Sequence, residues 1–292
     1  MDINLVRQKK TAAILSIISN SVLITIKVIA GIISGSIGII SEAVHSTSDL
    51  LASIITLFSV SESSKPADND HQFGHGKFED LASFVEGLLI ILAAFYIIYE
   101  SVKKIVLAHS IEINASIGLW VMAIAVVANF FVSSFLFKIA HKTGSTALYA
   151  DGEHLRTDIY SSLAVFVGLI LVKVTGNPIY DPIVAIIVAI IIFDAGLKIC
   201  VTAKNSLLDT SLSEKEVFKI KSIINNYLQN GVISLKNLRT RKSGVKKIIE
   251  MVLVVDKTMH ISTSHEMCDE IEAKIEAKLH NTDITIHLEP NT

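Results

Sequence analysis

Apolar residues gather into long runs over the first 200 or so positions of the chain and then give way to short periodic patches among charged residues. A helix needs about 20 largely apolar residues to cross a bilayer. Six segments approach that length: Thr11–Ser34, Ile37–Val60, Leu81–Tyr99, Ile113–Phe137, His154–Val174 and Pro182–Val201. They predict a bundle of six transmembrane helices over residues 1–208.

The pattern beyond Leu208 is that of a small α+β domain, residues 209–292. Ser213 and Glu216 form a capping box ahead of Val217, Ile220, Ile224 and Leu228, which share one helical face. Asn230-Gly231 marks a turn, and two strands follow at Val232–Arg241 and Lys247–Val255, joined at Ser243-Gly244. A second capping box, Thr263 to Glu266, predicts a helix carrying Met267, Ile271 and Ile275, and a last strand falls near Asp283–Leu288. The order αββαβ predicts an open two-layer, ferredoxin-like or metallochaperone-like domain. About 80 residues make a small core, which favours dimerisation.

Composition agrees with a membrane setting: 51% of residues are hydrophobic and mean hydropathy is +0.55. The polar start MDINLVRQKK does not resemble a cleavable signal peptide. Arg7, Lys9 and Lys10 place the N-terminus in the cytoplasm, and an even number of spans returns the C-terminus there. Lys65, Lys77, Lys138 and Lys142 then fall inside, against Lys103, Lys104 and Lys173 outside. The chain is thus expected to be a multi-pass protein of the cytoplasmic membrane. A net charge of −2 gives no electrostatic reason for nucleic-acid binding. Cys200 and Cys268 form neither a disulfide framework nor a CxxC motif.

The apolar runs contain two matched pairs, His45 with Asp49 and His154 with Asp158. Residues four apart project from one helix face. Two such faces brought together supply two imidazoles and two carboxylates, a four-ligand tetrahedral set suited to zinc. A lone buried aspartate is costly, two at one depth repel, and a divalent cation relieves both. Ionisable groups at membrane depth mark ion pathways, so the pairs point to metal transport. As drawn, the fifth span begins at His154 and leaves its pair too shallow; a helix beginning near Thr146 brings it toward mid-membrane. The polar loop KPADNDHQFGHGKFED holds a second set, Asp68, His71 and His75, with Asp70 adjacent and Gly74 and Gly76 allowing a tight backbone. Lys27, Glu42, Glu86 and Asp194 are further charges within the spans, and His109, His141, His260 and His280 read as solvent-facing.

These features, His45-x-x-x-Asp49, KPADNDHQFGHGK, His154-x-x-x-Asp158, the SLLD string ending at Asp209 and NLRTRKSG from Asn237 to Gly244, resemble the cation diffusion facilitator family over nearly the whole chain. The layout is similar to the bacterial zinc and ferrous-iron efflux type. The resemblance implies a homodimeric secondary transporter that exports divalent cations, Zn²⁺ foremost, from the cytoplasm in exchange for protons. It also implies a Lys77–Asp209 ion pair between the membrane bundle and the C-terminal domain. Some members have aspartate where this chain has His45; two imidazoles give a softer set that favours zinc. The resemblance further implies a C-terminal metal site, of which His265, His287 and Glu289 remain, while Lys236 and Val252 stand where two histidines would be needed. A binuclear site is therefore not expected. His287 and Glu289 are two apart on a strand and share a side, which leaves a reduced site with His265, or a dimer contact without metal.

Rival classes are poorly served. An ATP-driven pump has only Asp256-Lys257-Thr258 in its favour and no phosphate-binding loop. An intramembrane metalloenzyme would want HExxH or an open coordination position, and four ligands close the set. No prosthetic group is expected.

Overall fold

The computed structural model describes residues 3–34, 37–107, 116–177, 179–228 and 231–291, and the chain divides into two units, Met1–Lys204 and Asn205–Thr292. The first holds six long helices: α1 (Ile3–Ser34), α2 (Ile37–Ser63), α3 (Lys77–Leu107), α4 (Ser116–Thr143), α5 (Thr146–Thr175) and α6 (Tyr180–Leu207). Among the described residues, five of them (α1, α3, α4, α5 and α6) are long and apolar enough to span a membrane. The sixth expected span, α2, is long enough at 27 residues, and several of its side chains lie outside the described ones. Its Ser46, Asp49 and Ser53 are buried.

Helix α2 packs along α1 and against α3 and α5, while α5 also packs on α3 and α4. Small residues set the closest approaches. A Cβ at Gly87 of α3 would lie 2.7 Å from the Cys200 sulfur and 3.1 Å from the Gly196 carbonyl of α6, the kind of contact that lets helices associate in lipid. Outward faces carry Ile33, Trp120, Phe131 and Val174, all exposed, which suits a hydrocarbon surround. Several helices outrun the predicted spans; α3 begins at Lys77 and α6 ends at Leu207.

The start of α5 meets the expectation near Thr146. Ser145 is its N-cap, accepting from the Leu148 N–H at 3.4 Å, and Gly144 turns the chain from α4 at φ +69°. The far end closes on Gly176 at φ +71°, whose N–H reaches the Val172 carbonyl at 2.8 Å.

The second unit runs α7 (Glu214–Asn225), β1 (Val232–Ser243), β2 (Lys246–Val255), α8 (Ile261–Leu279) and β3 (Thr282–Pro290). β1 pairs antiparallel with β2, and β2 parallel with β3 across the α8 crossover. Ile220 and Ile224 of α7, Ile249 and Leu253 of β2, and Ile271 and Ile275 of α8 form its core and are fully buried. This is the expected αββαβ layer pair. The Ser213 capping box is present, with the Ser213 N–H 3.2 Å from Glu216 Oε2. The second capping box is not. Helix α8 starts earlier, because the His260 ring nitrogen caps it from the Ser262 N–H, leaving Thr263 and Glu266 inside the helix.

Candidate metal centres

Asp49 on α2 and His154 and Asp158 on α5 meet where the two helices pack. His154 Nε2 lies 3.1 Å from Asp49 Oδ1, and one ligand atom from each of the three residues lies within 4.8 Å of the others. Asp49 and His154 are buried, and His154 Nδ1 has no hydrogen-bond partner. Ligands about 2.0 to 2.1 Å from a tetrahedral zinc stand about 3.3 Å apart, so the group has the size of a metal site. His45 stands one turn before Asp49 on α2; its side chain lies outside the described ones, as does that of Glu42. The Asn20 amide of α1 reaches the Asp49 carbonyl at 3.4 Å.

The loop set also comes together, Asp68, His71 and His75 within 4.8 Å of one another. The turn builds it. Asp68 Oδ1 accepts from the backbone N–H groups of Asp70 at 3.0 Å and His71 at 2.7 Å, folding an Asx turn, and Gly74 turns the chain at φ +81°. The backbone hydrogen bond from His71 holds the Asp68 carboxyl below its ordinary range against desolvation, with His75, the Asp70 N–H and His71 adding to the effect. His75 Nδ1 meets the Pro66 carbonyl at 3.2 Å, and its Nε2 lies 3.3 Å from Asp68 Oδ2. The His71 and His75 rings lie 4.3 Å apart. Asp70 enters the turn through its backbone and is not part of the group.

The C-terminal residues are not gathered within one chain. His265 is exposed on α8 with Asp269 at 3.7 Å, and the Glu289 carboxylate is held by Lys236 at 3.3 Å. Lys236, Val252 and His287 stand side by side across β1, β2 and β3. The two positions without histidine thus stand in one row that ends at the one that has it, and the lysine takes the remaining carboxylate. His265, His287 and Glu289 do not fit a metal in a single protomer.

Sequence reasoning passed over the acids that organise the membrane unit. Glu79 accepts from Lys9 at 2.7 Å, from Ser63 at 2.8 Å and from Ser145, tying α1, α2, α3 and the start of α5. Lys9, read as an orientation charge, is fully buried in this contact. Next to it, Thr146 donates to Asp80 at 3.2 Å. Asp151, three residues before His154 on the same helix, accepts from Ser53 at 3.2 Å; that spacing was the available signal. Of the span charges left unassigned, Lys27 donates to Ser46 at 2.6 Å and Asp194 pairs with Lys198 at 2.6 Å.

A helical membrane unit carrying a buried His/Asp cluster, followed by a small α+β domain, defines a metal-cation transporter. Residues 13–208 match the cation efflux transmembrane domain and residues 212–291 the cation efflux protein cytoplasmic domain, so the chain belongs to the cation efflux, or cation diffusion facilitator, family. Members of that family are transporters and not enzymes, and the C-terminal domain is a dimerisation domain. The chain is 32% identical over 284 residues to the uncharacterized transporter sll1263 of Synechocystis, covering 97% of this chain and 91% of that one. It is 30% identical over 290 residues to the cation-efflux pump FieF of Yersinia enterocolitica, covering 99% and 95%. Among solved structures, the metal-bound C-terminal domain of the CzcD transporter from Thermotoga maritima is 28% identical, with a TM-score of 0.24, over 27% of this chain and 94% of that one.

Proposed function

We propose that this protein exports divalent cations, Zn²⁺ first among them, from the cytoplasm by proton antiport, binding the metal through His45, Asp49, His154 and Asp158. The observation that carries the reading is the buried meeting of Asp49, His154 and Asp158 between α2 and α5. His45, one turn from Asp49, is the fourth ligand in the proposal. Two imidazoles favour zinc over harder ions. The likeness to FieF pumps supports efflux as the direction.

Coupling follows from the ligand chemistry. Neutral imidazole and ionised carboxylate bind metal, and the same atoms bind protons, so loading one cation expels the other. The site loads from the cytoplasm, the bundle rocks, and protons from outside displace the metal, with both termini cytoplasmic. Asp68, His71 and His75 form a second, loop-held metal site. Asp209 meets Arg241 within its own unit at 3.3 Å.

The test is Zn²⁺ flux through the full-length dimer in proteoliposomes, with and without a pH gradient. Protons compete with metal, so acidification must weaken zinc binding and an inward proton gradient must speed export. Flux indifferent to the gradient and affinity indifferent to pH would overturn the coupling.

A further inference from the structure

Glu86 on α3 and Asp151 on α5 are fully buried and lie outside the metal cluster. Each is half satisfied. Thr56 donates to Glu86 Oε1 and Ser53 to Asp151 Oδ1, while Glu86 Oε2 and Asp151 Oδ2 have no hydrogen-bond partner. Among the described residues neither carboxylate is in an ion pair. Glu79 is the contrast: equally buried, it is answered by a lysine and two hydroxyls.

The two acids lie within electrostatic range of each other and of His154, and Asp151 within range of Asp49. Among the described residues, the titratable groups facing the pair are His154 on α5 and Asp49 on α2. Helix α1 contributes the neutral Ser16 and Asn20. Hydrogen bonds run from Asp151 to the backbone of Asp49: Ser53, the donor to Asp151, meets Ser16 at 2.9 Å and accepts from Asn20 at 2.9 Å, and Asn20 reaches the Asp49 carbonyl.

Two buried carboxylates without a cation cannot both stay ionised, and intramembrane acids of this kind mark proton relays. We propose that Glu86 and Asp151 form a proton-holding site that releases its proton when metal occupies the Asp49, His154 and Asp158 cluster and regains it when metal leaves. The O–H bond of one carboxylic acid breaks and its proton passes to water. The divalent charge beside His154 stabilises the resulting anion. On departure of the metal, a proton from water restores the acid.

The inference rests on the proposed antiport, and the experiment separates their failures. Full-length protein is reconstituted with a pH-sensitive dye in the lumen, and Zn²⁺ is the probe. Absence of proton counterflow in wild type sinks the antiport reading itself. With wild type coupled, Glu86→Gln and Asp151→Asn should bind zinc nearly normally yet lose pH dependence, the proton counterflow falling about 10- to 100-fold, the range typical of residues just behind metal ligands. Glu86→Asp should restore it. Infrared difference spectra need no transport: wild type and Glu86→Asp should both lose a protonated-carboxyl band on zinc addition. A wild-type pH profile in both amide variants overturns the proposal. If those variants fail to fold, the spectra decide, and no loss of the band in wild type overturns it equally.

Discussion

Asp158 and His154 are one helical turn apart, and only Asp158 retains partial exposure. Asp158→Ala should leave a folded dimer and reduce zinc flux by more than the roughly 10–100-fold that loss of an outer-shell partner costs; normal flux would remove the residue from the ligand set. His45→Asp exchanges nitrogen for oxygen and should shift zinc-to-cadmium selectivity in competition flux. In the loop, Asp68 stays ionised below the usual carboxylate range because the His71 backbone N–H holds it. Its depressed value keeps the carboxylate available until the pH falls through that lowered range. Metal binding to the loop should therefore keep its carboxylate ligand until the pH falls below the ordinary carboxylate range. Titration of metal binding in wild type and Asp68→Asn would check this: the asparagine variant should bind more weakly at every pH above that range.

At the scale of elements, the α5 helix is held at its start and used in its third turn. Glu79 binds Lys9, Ser63 and Ser145, and Ser145 caps α5, so the depth of His154 and Asp158 depends on this buried contact. Removing one partner of a buried ion pair leaves an uncompensated charge, and Glu79→Ala should cost about 3–5 kcal/mol, read as a lowered melting temperature in detergent. Transport should fall with it, because α5 loses its anchorage to α1 and α2. The fifth helix beginning at Thr146 could be anticipated from the need to bring two pairs to one depth. The contacts that start it there could not, since Glu79 lies 66 residues from Ser145. A similar gap explains α8: Thr263-x-x-Glu266 has the spacing of a capping box, but a ring nitrogen three residues earlier meets the free N–H groups first.

For the whole molecule, the two units impose different demands on metal. The membrane unit brings ligands together from helices far apart in sequence, whereas in the C-terminal unit His265 lies on α8 beside Asp269 and Glu289 is held by Lys236. Full-length protein in which Asp49 and Asp158 are replaced by alanine and Asp68 by asparagine should bind at most about one zinc per protomer, since the C-terminal residues that remain are not gathered into a ligand set within one chain. Two tightly held ions per protomer by metal analysis would contradict this reading.

The sequence by itself determined the membrane helices, the αββαβ order and the residue types of both clusters, because apolar periodicity and i, i+4 spacing are local properties that the backbone expresses directly. Loop ligands eight positions apart at most were legible for the same reason. Only the tertiary structure decided which buried acids are answered by cations and which are left bare. Glu79, Glu86 and Asp151 look alike in the chain, and Lys9 looks like a topology signal. What distinguishes them is the packing of α1, α2, α3 and α5, which delivers a lysine and hydroxyls to one carboxylate and hydroxyls alone to the others. Desolvation makes that difference large, and no one-dimensional pattern carries it.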